Sequence, residues 1–526
     1  MSEKEPHVLR DDEEVDAPVY APTMTPEYPK TMNFDEETAR QLLATSAAAE
    51  PEVERRAVQE LRVYKLRWMV LTVVALLNGS NALSWIAFAP VANYADLFYG
   101  VADASNYFSV VYMMVTIPVG LFGIWSAGRF GLRMAILTAG FTNGFGSILR
   151  LGSTFLPLEH RFVVGITGQC IAATAYPFIM FLPTKVAGTW FPESQRAIAT
   201  MLATIANPLG VLLAQLISPQ IAVAPEHILR VNLVTALPSV TAMLLAVVFV
   251  RTSQPPKPPS VSATKRQMDF WQGVKKVVCS KAFLILALML GSGMGILNTL
   301  YTLMQQLLCP SGYGNAFSGL CCALIVLSGT LGAFCSSAFV DRTKLFEETM
   351  KVCIALAILS GLVFVQLILE PNLGILIALS CVSFGFFGLA AYPLGLEMGA
   401  ECTFPVAETT STGLLVLSGQ VQSIVYVALM KMTSRPLPPW KAAIETCRLS
   451  GAGGATKVVD AYDMTNPALI LSVIMSLLAV FFIMFFRPKL RRVALEGTGR
   501  ATAAADSETA ATAEERKELA STSAGP

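Results

Sequence analysis

The sequence predicts an all-α integral membrane protein: twelve transmembrane helices in two pseudo-symmetric six-helix bundles. Three observations carry this. Of 526 residues, 54% are apolar and only 14% are Asp, Glu, Lys or Arg, whereas a soluble domain carries about a quarter charged residues. The apolar residues gather into twelve runs, each near the roughly 20 residues a helix needs to cross a bilayer. Short patterns in the first half also return in the second at one fixed offset.

The N-terminal stretch 1–66 is expected to be disordered, acidic and cytoplasmic. Residues 1–60 hold fifteen acids against six bases, with too few large apolar side chains to offset chain entropy. The first bundle occupies 67–250, with spans near 68–90, 105–127, 132–154, 162–184, 196–222 and 230–250. A basic linker follows at 251–281. It opens on Pro255-Pro256-Lys257-Pro258-Pro259 and runs into an amphipathic helix with Phe270, Val274, Val277 and Val278 on one face. That helix is expected to lie on the inner leaflet. The second bundle occupies 282–487, with spans near 282–307, 317–339, 350–369, 373–396, 409–431 and 466–486. The tail 488–526 is Ala/Thr/Glu-rich and expected to be disordered and cytoplasmic. Lys and Arg concentrate before the first span, in the linker and after the last, which places both termini on the cytoplasmic side.

Arg129 and Arg342 follow the second and eighth spans and are 213 positions apart. Phe191-Pro192 and Phe404-Pro405 share that offset, as do Asn207 and Gln420. A duplicated six-helix unit of this kind is the signature of a transporter that alternates access around a site at mid-bilayer.

Composition also excludes function classes. The net charge is +1 with no basic patch, so a nucleic-acid partner is not expected. No Cys/His metal pattern, Ser/His/Asp set or GxxxxGK[ST] loop is present, so no enzyme activity, no cofactor and no ATP-driven pump is predicted. Cys309 and Cys447 fall in loops placed outside and form a possible disulfide. The expected partners are the bilayer and a small-molecule solute, and the expected state is a monomer. The expected site of action is the plasma membrane or an endolysosomal membrane.

Polar residues inside a span are costly against lipid and so face a bundle interior or a wet cavity. Asn78, Asn81 and Trp85 follow i, i+3, i+7 in the first span; Asn298, Tyr301, Thr302 and Gln305 follow i, i+3, i+4, i+7 in the seventh. With Asn207 in the fifth and Gln420 in the eleventh, these are the expected solute-binding residues; interhelical hydrogen bonding is their plain alternative. Arg129, Arg133, Lys185, Arg196, Asp341, Arg342, Glu397, Glu401 and Glu408 cluster at the inner span ends and are expected to form ion pairs of an inner gate. Pro208 and Gly210 are the expected hinge. No Asp or Glu falls in the middle third of any span, which predicts facilitated transport without ion coupling. A receptor or sensor built on the same scaffold is the alternative function.

The twelve spans, the six-plus-six division and the basic turns after spans two and eight resemble the major facilitator superfamily. Within it, Asn78-Gly79-Ser80-Asn81 with Trp85, Trp190-Phe191-Pro192 with Gln195-Arg196-Ala197, Asn207-Pro208-Leu209-Gly210, and Glu397 to Glu401 with Phe404-Pro405 resemble solute carrier family 49. The resemblance covers roughly 65–490. It implies transport of a small organic solute: choline, ethanolamine, haem or a pyridoxine-type vitamin. It also implies aromatic residues on spans one and seven around a quaternary ammonium, with glutamines on spans five and eleven. Trp85 and Gln420 match two of those positions; Asn298 and Pro208 stand at the other two.

Overall fold

A computed structural model describes residues 64–127, 131–255, 270–403, 406, 408–438, 448–450, 456–458 and 462–487. Of the segments expected to be disordered, 1–66 and 488–526, only 64–66 are described, and there Leu66 already begins the first helix. Twelve long helical spans run through the described residues, because in lipid a backbone must satisfy its own hydrogen bonds.

Span 1 is Leu66–Ile86, continued by Ala92–Tyr99. It ends at Gly100, whose φ of 69° suits a left-handed helix cap. Span 2 is Ala104–Ala127 and span 3 is Gly131–Ser153. Span 4 is broken into Leu158–Ala173, Tyr176–Ile179 and Leu182–Trp190. Pro177 and Pro183 each start a new piece, as expected of a residue without an N–H to donate. Span 5 is Glu193–Ile221 and span 6 is Ile228–Phe249. The linker helix is Phe270–Val278. Spans 7 to 12 are Lys281–Leu308, Asn315–Thr343, Phe346–Leu367, Gly374–Thr403, Glu408–Thr433 and Thr465–Phe485.

Eleven helical stretches are long and apolar enough to cross a membrane. Span 3 is long enough but less apolar, because Asn143, Ser147 and Arg150 sit in it. All three are buried, so the span turns them toward the bundle. The opposite surfaces are apolar: Leu237 in span 6 and Leu477 in span 12 are 68% and 67% exposed, as lipid-facing residues should be.

Close helix crossings rest on glycine. A Cβ on Gly210 would lie 2.2 Å from the carbonyl oxygen of Gly79, and one on Gly319 would lie 2.2 Å from that of Gln215. The first contact locks span 5 to span 1 within the first bundle. The second brings span 8 of the second bundle onto span 5 of the first. Gly210 is therefore a packing contact. Pro208 sits inside a continuous helix, and the breaks occur in span 4 instead. The expected hinge is thus not a break in this structure.

The linker helix lies partly on protein. Val277 and Gly273 are buried, and a Cβ on Gly273 would be 3.0 Å from Val406 ahead of span 11. Phe270 packs with Ile124, Phe181 and Leu417, so it touches both bundles. Trp271 is exposed. The helix's apolar face is thus shared between the second bundle and the surface. Between spans 11 and 12, Arg435–Pro436 pairs with Tyr462–Asp463 and Arg448–Ser450 pairs with Thr456–Val458, both antiparallel; no strand was expected there.

Candidate functional site

The two bundles enclose one cavity of about 1930 Å³, lined from spans of both halves. On the side of the linker helix its lining includes Gln254 and Trp271, which are exposed. On the far side its lining residues Leu307, Ile368 and Leu471 are buried. The cavity therefore opens toward the linker.

The far side is closed by polar contacts between the bundles. Lys431 at the end of span 11 pairs with Asp103 at 2.5 Å. Asn315 donates to Asn93 at 2.9 Å and Asn106 donates to Gln306 at 3.4 Å; within the second bundle, Gln305 donates to Asn315 at 3.3 Å and so braces that contact. Gln215 Nε2 donates to the backbone oxygen of Tyr301 at 3.3 Å. Gln305 thus serves this seal and does not line the cavity, a correction to its expected role. It sits two helical turns beyond Asn298, where it meets Asn315 of span 8.

The remaining expected binding residues all line the cavity: Asn78, Asn81, Trp85, Asn207, Asn298, Tyr301 and Gln420. They are not equally available. Asn81 Nδ2 donates to Asn143 Oδ1 at 2.9 Å and to the Ala172 carbonyl at 3.1 Å. Asn78 donates to the Ala203 carbonyl at 3.0 Å and accepts from Asn207 Nδ2 at 3.0 Å. These amides tie span 1 to spans 3, 4 and 5. Asn207 keeps its carbonyl oxygen free. Asn298 Nδ2 donates to Ser423 Oγ at 3.0 Å, which leaves its carbonyl oxygen. Trp85 Nε1 donates to the Ser109 carbonyl at 3.2 Å; the indole is fixed and offers the cavity its ring, not its donor.

Gln420 differs from all of these. It is 5% exposed, lines the cavity, and has no hydrogen-bond partner among the described residues. Its amide atoms are open to the cavity, where water or a solute can meet them. Trp85 and Asn298 are themselves 213 positions apart, so the chamber's two sides are repeat-related at both pairs of spans.

The expected gate residues separate into groups. Lys185 and Glu397 line the cavity toward the linker side, on spans 4 and 10. Arg133 is held within its own bundle: its backbone N–H donates to Ser253 Oγ and its Nε donates to the Val250 carbonyl. Arg196 donates to the carbonyls of Phe191 and Gly188. Asp341 and Arg342 are exposed at the end of span 8, and Glu401 is buried in span 10. Arg129 and the Glu408 side chain lie outside the described residues. Cys309 is disulfide-bonded, and the expected partner Cys447 also lies outside them; the other described cysteines are free.

Sequence reasoning missed Arg150, which is 1% exposed. Its guanidinium donates to the Ser84 carbonyl at 2.8 Å, to Gln169 Oε1 at 2.6 Å and to Thr235 Oγ1. It also stands 5.0 Å from the Phe88 ring centroid, within cation–π range. A lone arginine within an apolar run was the signal. Tyr112, Tyr176 and Tyr392 line the cavity too, and tyrosines in apolar runs give no such signal.

The Major Facilitator Superfamily model matches residues 68–425. Solute carrier family 49 member A3 of Xenopus tropicalis is 38% identical over 444 residues, 83% of this chain and 90% of the frog protein. The chain belongs to the major facilitator superfamily and, within it, to solute carrier family 49. The human choline/ethanolamine transporter FLVCR2 is 29% identical over 384 residues, 70% of this chain and 72% of its own. A crystal structure of a D-xylose–proton symporter aligns with a TM-score of 0.58 at 14% identity, covering 80% of this chain and 97% of that one. That likeness shows the fold alone. This member of solute carrier family 49 is an integral multi-pass membrane protein of a transporter family.

Proposed function

We propose that the protein carries a small organic solute across the membrane by alternating access, without ion coupling. With both termini cytoplasmic, the cavity opening beside the linker is the inward-open state. The solute is neutral or singly cationic. The single observation that carries this reading is Gln420: an amide with no partner among the described residues, open to a chamber between two repeat-related bundles. Around it stand the Trp85 ring and the free carbonyl oxygens of Asn207 and Asn298, an uncharged set suited to a polar or cationic head. An aromatic face holds a desolvated cation by about 2 kcal/mol or more. Family 49 relatives named for choline and ethanolamine make those solutes the first candidates, while Asn298 and Pro208 in place of an aromatic and a glutamine shift preference toward more polar ones.

The test begins with metabolite comparison of cells with and without the protein, then uptake into liposomes holding the full chain. Trp85→Ala and Gln420→Ala each reduce uptake about tenfold or more, since each removes about 1–3 kcal/mol of solute contact. Undiminished uptake in both variants overturns the chamber. Uptake is unchanged by an imposed proton or sodium gradient; a clear dependence on either overturns the uncoupled reading.

A further inference from the structure

The cavity does not stop at the chamber. It continues along the second bundle, where Leu300, Leu307, Ile358, Phe364 and Leu471 line it from spans 7, 9 and 12, and it reaches the outer surface at Phe334 and Leu362, which are exposed. The first bundle has no such extension. Span 6, the counterpart of span 12, contributes no lining residue among those described, and span 3, the counterpart of span 9, contributes only Gly131 and Leu132 at the linker side.

The physical cause of the difference is how each interior is filled. In the first bundle Arg150, Gln169, Thr235 and the Asn143–Ser80 hydrogen bond of 3.0 Å occupy the space behind the chamber. Spans 3 and 4 are also in direct backbone contact: a Cβ on Gly146 would lie 2.5 Å from the Gly168 carbonyl oxygen. In the second bundle Gly388 of span 10 borders the extension: a Cβ there would find only the Ala357 Cβ of span 9, at 3.9 Å. The whole cavity, about 1930 Å³, is roughly twice the upper end of ordinary ligand pockets, about 1,000 Å³. A solute the size of a bare quaternary ammonium leaves most of it to water or to a further part of the solute.

We infer that the solute is an amphiphile: an uncharged or singly cationic polar head in the Trp85–Asn207–Asn298–Gln420 chamber, and a flexible apolar chain in the lobe of the second bundle. The inference rests on the proposed function for its head site and extends it to the solute's chemical class. From Asn298 to Leu307 the lobe follows nine residues of helix, about 14 Å at 1.5 Å per residue, which suits an alkyl chain of medium length. The chain is held by burial alone, so it gives affinity without selecting a head.

The probe is a series of alkyl(2-hydroxyethyl)dimethylammonium ions with methyl, butyl, octyl and decyl chains. They are titrated onto the full-length protein in nanodiscs, with empty nanodiscs subtracted. Affinity rises about fourfold per methylene between butyl and octyl, because each buried methylene contributes about 0.8 kcal/mol. Gly388→Leu fills the lobe: it flattens this dependence and leaves the methyl member bound as before. Retention of methyl-member binding shows that the variant folds. An undiminished chain-length dependence in Gly388→Leu places the chain in the bilayer and overturns the lobe assignment. Absence of any chain-length gain in the unsubstituted protein overturns it as well. Failure of the underlying reading looks different: Gln420→Ala then binds the methyl member unchanged, whatever the chain-length dependence.

Discussion

On the proposed alternating-access reading, a side chain at Gly319 should bias which way the protein opens. Gly319 lies near the far-side start of span 8, and a Cβ there would sit 2.2 Å from the backbone oxygen of Gln215 in span 5 and 3.2 Å from Pro219 Cγ. The nearest atom is backbone, so no rotamer change relieves the clash, and the bundles must part by about an ångström to reach ordinary contact. Overpacking of this kind costs about 1–3 kcal/mol. The contact joins the two bundles on the closed side, so the cost falls on the state described above and is relieved once spans 5 and 8 separate there. Gly319→Ala should therefore shift the population toward the opposite opening by about five- to 150-fold, one decade per 1.4 kcal/mol. Alkylation of two introduced cysteines reads this out in the protein held in nanodiscs. Thr204→Cys lines the cavity open on the linker side, and its rate falls. Asn106→Cys lies in the far-side seal, where the native residue is 5% exposed, and its rate rises. Gly210→Ala is the control. Its clash, with the Gly79 carbonyl, lies within one bundle, so it lowers thermal stability without changing the ratio of rates. Equal rate ratios in Gly319→Ala and the parent, in a protein that elutes as the parent does, would refute the reasoning.

Asp103→Asn and Lys431→Met each weaken the same seal. The pair is partly exposed and so is worth about 0.2–1 kcal/mol, a shift of up to about fivefold in the same alkylation ratio; the double variant should equal either single one. Arg150→Met leaves Gln169 Oε1 and Thr235 Oγ1 without their donor, while the Ser84 carbonyl keeps Gln169 Nε2. It should destabilise the protein by about 1–3 kcal/mol for each neutral group left unsatisfied; unchanged heat resistance in nanodiscs would show that the network holds nothing. The Cys309 disulfide should run to Cys447, and non-reducing peptide mapping should recover those two peptides joined and separate them on reduction.

Much of the fold is legible because a bilayer admits so few solutions. Once Asn207 and Gln420 are seen to share the spacing of Arg129 and Arg342, a twelve-span duplicated bundle follows, and the spans fall within a few residues of expectation. The break in span 4 was not legible: Pro177 and Pro183 sit in a run as apolar as those around Pro118, Pro208 and Pro393, which lie inside continuous helices. A proline removes one hydrogen bond in each case, and whether the helix then breaks depends on what packs beside it. The same limit applies at the site. Gln305 and Gln420 are both amides in apolar runs, and both turn inward as the cost of lipid exposure requires. One joins a seal and the other faces the chamber because of partners such as Asn315, which sequence spacing does not place. The far-side seal was invisible for a related reason, since Lys431 and Asp103 are separated by most of the chain.

The repeat that made the fold readable also obscured what distinguishes the halves. A common offset suggests equivalent interiors, yet at that offset the counterparts of Arg150 and Gln169 are Val363 and Val382. The first bundle spends its interior on a buried cation and the groups that satisfy it, a rigid arrangement because each member is held by several others. The second has no such network there among the described residues, and an apolar recess continuous with the chamber runs along its spans 7, 9 and 12. On the proposed alternating-access reading, this asymmetry would give the halves different tasks: the first bundle a frame that presents Trp85 and Asn207, the second the side that presents Asn298 and Gln420 together with the recess. Selectivity for the head should then reside in residues of both halves, whereas tolerance for the rest of the solute should change only with substitutions in the second.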